Sequence, residues 1–352
     1  MRKKTALYII YGDLALNSAL LLAAMGIVFL LGLRVERTPK PASLGNHPHN
    51  IAQMENVDPE RFTFFVMSDI KTGTATFEKL LSIAQQDNPA FGVILGDIVA
   101  NPWLIEHKLL GYRISKYRPD FPIFLTIGNH GISEQGPFGL TQYEQVYGPT
   151  QFHFAIGRYL FIFLRNADLF SKSGDWIAHF ESVLAEYEDP ETQVIVFMHV
   201  PPSSFNGTVL MSGAAHSKRF MELAEARGVR FVFSGDHHGY AKHRIGQTTY
   251  IITGGGGDRL RGDHGRFHHF TRIAVHRGRM SETVIAVERR DETIRQLERN
   301  IVTYVWPLMA GNTVRRLISA GLALVLLAAM VCCLRQIKRI RHRSASSQVS
   351  TA

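Results

Sequence analysis

The sequence predicts an α/β fold placed between two membrane-spanning helices. Along the central part of the chain, short apolar runs rich in aromatic and β-branched residues alternate with helical segments, which is typical of α/β proteins. Near each end, a long apolar stretch without charged residues indicates a helix that crosses a bilayer. The strand-like runs are Phe62–Met67, Phe91–Leu95, Phe121–Ile127, Val194–Met198 and Val229–Phe233.

Two apolar segments are long enough to cross a membrane. Leu14–Leu33 contains 20 residues and Leu317–Leu334 contains 18, and neither includes a charged residue. A cleaved signal peptide is the alternative for the first segment, although no small-residue cleavage site follows it. A buried helix of a soluble protein is the alternative for either segment, but basic residues flank both.

The distribution of charge indicates topology rather than nucleic-acid binding. The net charge is +9, but residues 36–312 carry 28 basic and 29 acidic side chains. The positive excess therefore lies in the two flanks, beside the apolar segments. This pattern predicts that both termini are cytoplasmic, that the region between them faces the other side of the membrane, and that no nucleic acid is bound.

The two cysteines, Cys332 and Cys333, are adjacent within the second apolar segment, so the central domain has no disulfide to form.

The expected division of the chain is a cytoplasmic N-terminus at 1–13, a transmembrane helix at 14–33, a linker at 34–60, a globular domain at 61–290, a helical linker at 291–312, a transmembrane helix at 313–334 and a basic cytoplasmic tail at 335–352.

The elements of the central domain follow from periodicity and turn residues. Two helical segments separate the first three strands and predict a doubly wound first half. The polar, glycine-containing segment Ser133–Thr150 is expected to be a loop, and Asp175 is expected to cap a helix. The predicted helices are Phe77–Gln85, Trp103–Lys116, Asp175–Tyr187 and Ser217–Ala226. The later strands are Phe152–Ile156, Tyr159–Arg165, Thr248–Thr253, Phe270–Val275 and Thr283–Val287.

Each of the five strand-like runs is followed by a polar motif. Because the carboxyl ends of strands form the ligand-binding edge of α/β sheets, these motifs are expected to meet at one site. Their carboxylate, amide and imidazole groups suit Mn, Fe, Zn or Mg. The motifs are Ser68-Asp69-Ile70-Lys71, Gly96-Asp97, Gly128-Asn129-His130, His199 and Gly235-Asp236-His237-His238.

In this order, the motifs resemble those of the calcineurin-like metallophosphoesterase family, and the resemblance runs from about Arg61 to Glu288. It implies a four-layered αββα sandwich of two mixed sheets and the hydrolysis of a phosphate ester by a metal-activated water. It also implies that Asp97 bridges two metals and that His130 assists the leaving group. The first metal would take Asp69, the residue at Lys71, Asp97 and His238; the second would take Asp97, Asn129, His199 and Asp236.

The sequence departs from the family pattern at three positions. Lys71 stands where a histidine ligand is expected, and a protonated ammonium repels a divalent cation. Asp236 also replaces a histidine but can still ligate, so the second metal site keeps an oxygen-rich set that favours Mn, with Fe, Mg or Zn as alternatives. Gly131 replaces the acid that orients the catalytic histidine. One or two ions therefore remain possible.

Two functions follow from these departures. The first is an active hydrolase in which Lys71 supplies the positive charge of a missing ion. The second is a catalytically impaired binding or scaffold protein. A monoester, a diester, a diphosphate, a nucleotide and a lipid-linked phosphate all remain open as substrates, as does the oligomeric state. His264, His268 and His269 either line the substrate cleft or are ordinary polar residues of a strand and loop.

Overall fold

A computed structural model describes residues 2–134, 136–167, 173–203, 214–261 and 265–349. The chain forms two compact units. One unit comprises residues 38–297, and the other comprises the two ends, residues 1–37 and 298–352.

The first sheet of the larger unit has five strands in the order β11-β10-β1-β2-β3. Strands β1, β2 and β3 are parallel to one another. Strand β10 is antiparallel to β1, and β11 is antiparallel to β10. The strands are β1 (Arg61–Met67), β2 (Phe91–Ile94), β3 (Ile123–Leu125), β10 (His268–His276) and β11 (Arg279–Val287).

The second sheet has six strands in the order β4-β5-β6-β7-β9-β8. Strands β5, β6, β7 and β9 are parallel, and an antiparallel strand closes each edge. The strands are β4 (Phe152–Ile156), β5 (Tyr159–Phe163), β6 (Gln193–Phe197), β7 (Phe231–Ser234), β8 (Tyr240–Ile245) and β9 (Thr248–Thr253).

The two sheets pack face to face, with helices on their outer faces. Side chains of β1 alternate between two cores: Phe64 faces the aromatic core between the sheets, and Phe65 faces the helices outside. Helices α3 (Thr74–Ala84) and α4 (Leu104–Ser115) cover the first sheet. Helices α6 (Asp175–Glu186) and α7 (Ala214–Arg227) cover the second. The expected αββα sandwich of two mixed sheets is therefore confirmed.

The first half is not doubly wound, contrary to the expectation from its strand–helix alternation. Strands β1, β2 and β3 lie in sequence order without a reversal, so both right-handed crossovers place their helices on the same face. The opposite face is available to the second sheet, and its burial there explains why β1 and β2 are apolar on both sides.

Three local expectations also differ from the structure. The predicted loop Ser133–Thr150 contains helix α5 (Leu140–Tyr147), because Tyr143 and Tyr147 lie one turn apart and are buried. The predicted linker before β1 contains helix α2 (Pro48–Ala52), and Leu44 forms a bridge to Ile123 at the edge of β3. The N-cap of α6 is Gly174, with a φ of 72°, and Asp175 lies in the first turn.

The unit formed by the two ends is helical. Helices α1 (Arg2–Arg37) and α10 (Thr313–Val349) contain spans, Thr5–Arg37 and Thr313–Arg341, that are long and apolar enough to cross a membrane. Helix α8 (Thr293–Asn300), a π-helical segment (Ile301–Val305) and α9 (Trp306–Ala310) precede α10. The two long helices are compatible with a two-pass membrane protein.

Candidate metal centre

The polar motifs lie where the edges of the two sheets meet. The segments that follow the parallel strands β1, β2 and β3 carry Asp69, Asp97 and Asn129, and those that follow β6 and β7 carry His199 and Asp236. The two edges are joined directly, because the backbone N–H of Asp236 donates to Asp69 Oδ2 at 3.0 Å. The structure brings together all eight predicted site residues: Asp69, Lys71, Asp97, Asn129, His130, His199, Asp236 and His238.

The backbone is left-handed at four of these positions. Such backbone costs about 1–3 kcal/mol at a residue other than glycine, and is found where the surrounding structure imposes it. At Lys71, for example, the backbone N–H donates to Asp97 O at 3.1 Å, and this hydrogen bond holds the main chain in the left-handed conformation. The φ angles are 64° at Asp69, 37° at Lys71, 49° at Asp97 and 61° at Asp236.

Glycine allows the close approach of these segments. A Cβ atom on Gly128 would lie 2.4 Å from the backbone nitrogen of Asp97 and 2.4 Å from its Oδ1. A Cβ on Gly96, whose φ is 91°, would lie 2.6 Å from His199 Nδ1. These two glycines are therefore required for the ligand groups to converge.

Asp69, Asp97 and His238 form the first cluster that could hold a divalent cation. Their ligand atoms lie within 4.8 Å of one another. His238 Nδ1 is 2.7 Å from the carbonyl oxygen of Arg259, so it carries the proton and leaves the lone pair on Nε2, which faces Asp69 Oδ1 at 3.5 Å. Burial lowers the pKa of His238, which keeps this imidazole neutral.

The ammonium of Lys71 lies within this first cluster. Its Nζ is 2.7 Å from Asp97 Oδ2 and 3.3 Å from His238 Nε2, and its side chain is only 8% exposed. Two of the three groups that could hold an ion therefore already contact a positive charge. A divalent cation could bind there only if this ammonium moved away.

A second cluster surrounds the imidazole of His199. Its Nδ1 is 2.6 Å from the carbonyl oxygen of Leu95, which places the lone pair on Nε2. That nitrogen is buried, lies 3.5 Å from Asp97 Oδ1 and 3.7 Å from Asp236 Oδ1, and has no hydrogen-bond partner among the described residues. A buried imidazole lone pair directed at two carboxylates fits a metal ion between them.

The amide of Asn129 completes the second cluster. It lies 3.0 and 3.3 Å from the two carboxylate oxygens of Asp97. When the amide nitrogen faces Asp97, it donates hydrogen bonds to both carboxylate oxygens. When the amide is rotated by about 180°, its oxygen faces the same side and could bind a cation together with Asp97. Carboxylate, amide oxygen and imidazole then form a donor set suited to Mn or Mg.

The ionisable groups show an excess of negative charge. Burial raises the pKa of Asp69 to about 7, and the charge of Asp97 adds to this effect. Burial acts in the same direction on Asp97, but His199 and Lys71 outweigh it and hold the pKa of Asp97 below its usual value. Burial alone would lower the pKa of His199, yet Asp97, Asp69 and Asp236 raise it. These shifts indicate a site that favours an additional cation.

The imidazole of His130 lies beside the clusters without joining either. Its backbone N–H donates to Asp97 Oδ1 at 3.1 Å, which fixes the main chain. Its Nδ1 is 3.0 Å from the carbonyl oxygen of Ala100, which takes the place of a carboxylate as hydrogen-bond acceptor. The loss of an acid at Gly131 has therefore not left the ring without an orienting partner.

Sequence reasoning did not identify several residues that support the site. Glu106 and His107, on α4, hold the segments on either side of His130. Asp258 accepts a hydrogen bond from Thr72 at 2.9 Å and lies 3.6 Å from His238 Nδ1. The only signal for Asp258 was its position directly after four glycines, and Glu106 resembles an ordinary acid in a first helical turn.

Two of the three histidines left open by the sequence are buried. His268 and His269 are both in β10 and are 3% and 0% exposed, and each Nδ1 lies near a backbone carbonyl oxygen. His264 lies outside the described residues.

Comparison with known proteins agrees with this description. The sequence profile of the calcineurin-like phosphoesterases matches residues 62–240, whereas no curated protein matches. The purple acid phosphatase PPD1 from yellow lupin (Lupinus luteus) seeds has a TM-score of 0.51 and 13% identity, over 64% of this chain and 51% of the phosphatase. The chain thus spans about half the length of that enzyme, and at this identity the likeness shows the fold alone.

Two further structures have lower TM-scores. A dimetal phosphatase from Danio rerio has a TM-score of 0.48 and 11% identity, over 65% of this chain and 99% of that protein. GAP50, the anchor in the inner membrane complex of Plasmodium, has a TM-score of 0.45 and 12% identity, over 70% of this chain and 96% of that protein.

The matched region extends from β1 to the first residue of β8 and includes every residue of both clusters. It covers about half of the chain. Sequence profile, two-sheet fold and convergent ligand groups point to the same group of proteins. The chain therefore belongs to the calcineurin-like phosphoesterase family.

Proposed function

We propose that the protein is a membrane-anchored, metal-dependent phosphoesterase that hydrolyses a phosphate ester outside the cytoplasm. The observation that carries this proposal is the environment of His199. Its buried Nε2 faces Asp97 and Asp236 without a hydrogen-bond partner in the described part of the chain, while its Nδ1 is committed to Leu95 O. Without a metal ion only a proton on this nitrogen would offset the two carboxylates, whereas a bound cation would satisfy all three groups at once.

Asp97, Asn129, His199 and Asp236 are the residues that would hold one divalent ion, with Mn the best match to the donor set. A divalent ion bound there would neutralise charge on the phosphate ester and lower the pKa of the attacking water. The charge balance supports one ion: with Asp69, Asp97 and Asp236 all ionised, the single ammonium of Lys71 leaves two negative charges for a divalent ion to balance. The raised pKa of Asp69 agrees with this excess of negative charge.

Lys71 would provide a fixed positive charge at the first cluster. Two unit charges about 4 Å apart repel by about 4 kcal/mol at an effective dielectric constant near 20, and a divalent ion doubles that repulsion. The ammonium is close enough to Asp97 and His238 to disfavour an ion between them. Because the ammonium is part of the chain, it would attract the phosphate without an ion having to bind from solution.

His130 would assist departure of the alcohol. Its ring is oriented through Nδ1 by Ala100 O, and this leaves Nε2 as the nitrogen that can face the substrate. The ring is only partly buried, so a leaving-group oxygen can reach it. A positioned imidazole of this kind contributes about 10²–10⁴-fold when a poor leaving group must be protonated.

The bilayer would act as a partner through α1 and α10. We propose that both termini are cytoplasmic and that the phosphoesterase domain, residues 61–290, is exported. The support is the positive charge outside each apolar segment and the near balance of charge between them. The segments 34–60 and 291–312 would connect the domain to the membrane.

The proposal is tested with full-length protein purified in detergent and assayed on an aryl phosphate. We expect turnover that disappears after chelation and returns with Mn²⁺. A scaffold or binding role is the second candidate, favoured by the ammonium in the first cluster. Binding of inorganic phosphate without turnover, over a range of added Mn²⁺, Fe²⁺, Zn²⁺ and Mg²⁺, would replace the enzyme proposal with the binding one.

A further inference from the structure

His130 is oriented by a peptide group rather than by an acidic side chain. Its Nδ1 lies 3.0 Å from the carbonyl oxygen of Ala100 and donates to it. In the family pattern an acid follows this histidine, but here the next residue is Gly131, which has no side chain to offer. The orientation of the ring therefore depends on how firmly the Ala100–Asn101 peptide is held.

The other end of that peptide is bound by a buried carboxylate. The N–H of Asn101 belongs to the same peptide group as Ala100 O, and it donates to Glu106 Oε2 at 3.0 Å. Because a peptide whose N–H is bonded to a carboxylate becomes polarised, its carbonyl oxygen is a stronger acceptor. Glu106, Ala100–Asn101 and His130 thus form a continuous chain of hydrogen bonds.

Glu106 makes two further hydrogen bonds to the same segment. The backbone N–H of Ala100 donates to Oε2 at 3.0 Å, and the side-chain amide of Asn101 donates to Oε1 at 2.8 Å. The glutamate is 4% exposed. Both carboxylate oxygens are therefore used to fix the loop that accepts from His130, and charge-assisted bonds of this kind are stronger than neutral ones.

The neighbouring residue on α4 supports the other side of His130. His107 Nε2 is 3.0 Å from the carbonyl oxygen of Gly131, and His107 Nδ1 is 3.1 Å from Tyr147 Oη. The ring also stacks on Phe138, with 4.2 Å between centroids. One turn of α4 therefore holds both the loop that accepts a hydrogen bond from the His130 ring and the peptide that follows His130.

We propose that Glu106 is a positioning residue that orients the His130 imidazole through the Ala100–Asn101 peptide, in place of the acid that Gly131 lacks. The inference rests on the proposed function, in which His130 acts on the leaving group. It predicts that replacement of Glu106 lowers kcat only for those substrates whose turnover depends on His130. A carboxylate that merely stabilised the fold would affect all substrates alike.

The test compares two substrates with the full-length protein: an alkyl phosphate, whose alcohol must be protonated, and 2,4-dinitrophenyl phosphate, whose leaving group need not be. Glu106→Gln keeps the size of the side chain and removes its charge. We expect kcat for the alkyl phosphate to fall about tenfold or more, within the range that a general acid contributes. KM, metal content and kcat for the dinitrophenyl ester should stay nearly unchanged.

A double-mutant cycle separates positioning from stability. In a His130→Ala background, Glu106→Gln should cause no further loss of kcat on the alkyl phosphate, because the two residues act as one unit. Glu78→Gln is the matched control: Glu78 is also a buried glutamate, but it is paired with Arg295 on another helix, and it should leave the ratio between the substrates unchanged. Asn101→Ala, which removes one bond to Glu106, should have a smaller effect in the same direction.

The outcomes also distinguish this inference from the proposed function. Equal losses of kcat on both substrates, or independent losses in the double variant, would overturn the role of Glu106 and leave the phosphoesterase proposal intact. Full activity of His130→Ala on the alkyl phosphate would instead overturn the proposed role of His130. If Glu106→Gln does not fold, the Asn101→Ala substrate ratio decides the question: an unchanged ratio contradicts the inference.

Discussion

At the scale of single residues, the two histidines proposed as metal ligands and the histidine proposed as catalytic differ in the surroundings of their imidazole rings. His199 and His238 each direct Nδ1 at a backbone carbonyl oxygen and Nε2 at carboxylates. His130 directs Nδ1 at a carbonyl oxygen as well, but its side chain is partly exposed. The same tautomer thus suits binding of an ion in the first two residues and proton transfer in the third.

This difference predicts a separation of metal binding from activity. His199→Ala and Asn129→Ala should each abolish bound metal together with aryl phosphatase activity, because they remove donors to one ion. His130→Ala should lower activity on an alkyl phosphate, whose leaving group must be protonated, by about 10²-fold or more while the metal is retained. Metal analysis and kinetic assays of the same protein preparations compare the bound metal and the activity of each variant.

His237→Ala provides a control next to a ligand. We place no metal-binding role on this side chain, so its removal should leave metal content unchanged. Loss of metal from the His130→Ala protein would contradict the division of roles between His130 and the ligands.

At the scale of elements, α4 links the loop that contains His130 and Gly131 to the core through a buried histidine, His107. Burial lowers the pKa of His107 to about 4, and the hydrogen bond to Gly131 O only partly offsets this. The neutral ring fits its neighbours, since Nε2–H donates to Gly131 O and Nδ1 accepts from Tyr147. Protonation therefore opposes the packed state of α4.

The pH dependence of stability follows from this shift. The unfolded chain binds the proton near the ordinary pKa of 6.5 and the folded one near 4, so the unfolded state binds more protons between these values. Stability should fall as the pH decreases from about 6.5 to 4, by up to about 3 kcal/mol from this residue. Urea unfolding of the wild type and of His107→Gln at several pH values measures this loss of unfolding free energy. An equally steep acid loss in the variant would contradict the assignment.

The interface between the sheets depends on stacked aromatic side chains. Phe64 is fully buried, and its ring lies 4.8 Å from Phe91 in a stacked pair and 5.6 Å from Phe161 in an edge contact. Phe64→Ala should lower the free energy of unfolding by roughly 3–5 kcal/mol. Leu104→Ala, at a half-exposed position, should change it by no more than about 1 kcal/mol. Similar losses in both variants would argue against a tightly packed interface.

The sequence alone predicts those elements whose signal lies in neighbouring residues of the chain. In β1, the continuous run of large apolar side chains and the polar motif after Met67 could be recognised directly. Helix α5 was missed because its polar residues conceal two buried tyrosines. The contact between Glu106 and the Ala100–Asn101 peptide was also missed, because no residue pattern shows that a carboxylate in a first helical turn folds back onto the preceding loop.

At the scale of the whole molecule, charge and hydropathy divide the chain as the structure does. The apolar helices belong to one compact unit, and the phosphoesterase fold belongs to the other. With neutral imidazoles, the larger unit has nearly balanced charge, whereas the ends carry the basic excess. If the two apolar helices anchor the chain as proposed, the domain would meet substrates near the membrane surface, which keeps a lipid-linked phosphate among the candidate substrates.

The proposed topology makes opposite predictions for two positions. A reporter fused after Asn312 should report an extracytoplasmic location, and the same reporter fused at Ala352 should report a cytoplasmic one, because only the second follows the basic flank. Replacement of the basic residues after Leu334 by serine is the control and should weaken this asymmetry. Equal signals from the two fusions would exclude the two-pass arrangement.

We infer that one divalent ion and the Lys71 ammonium together replace a two-metal site. Metal analysis of the full-length protein, after saturation with Mn²⁺ and removal of free metal, measures the number of bound ions. We expect one ion per chain in the unmodified protein and two in Lys71→His, where an imidazole replaces the charge beside Asp97 and His238. At metal concentrations too low to fill the vacated first cluster, Lys71→Ala should retain one ion and lose activity. Two ions per chain in the unmodified protein, or full activity of Lys71→Ala at low metal concentration, would exclude this arrangement.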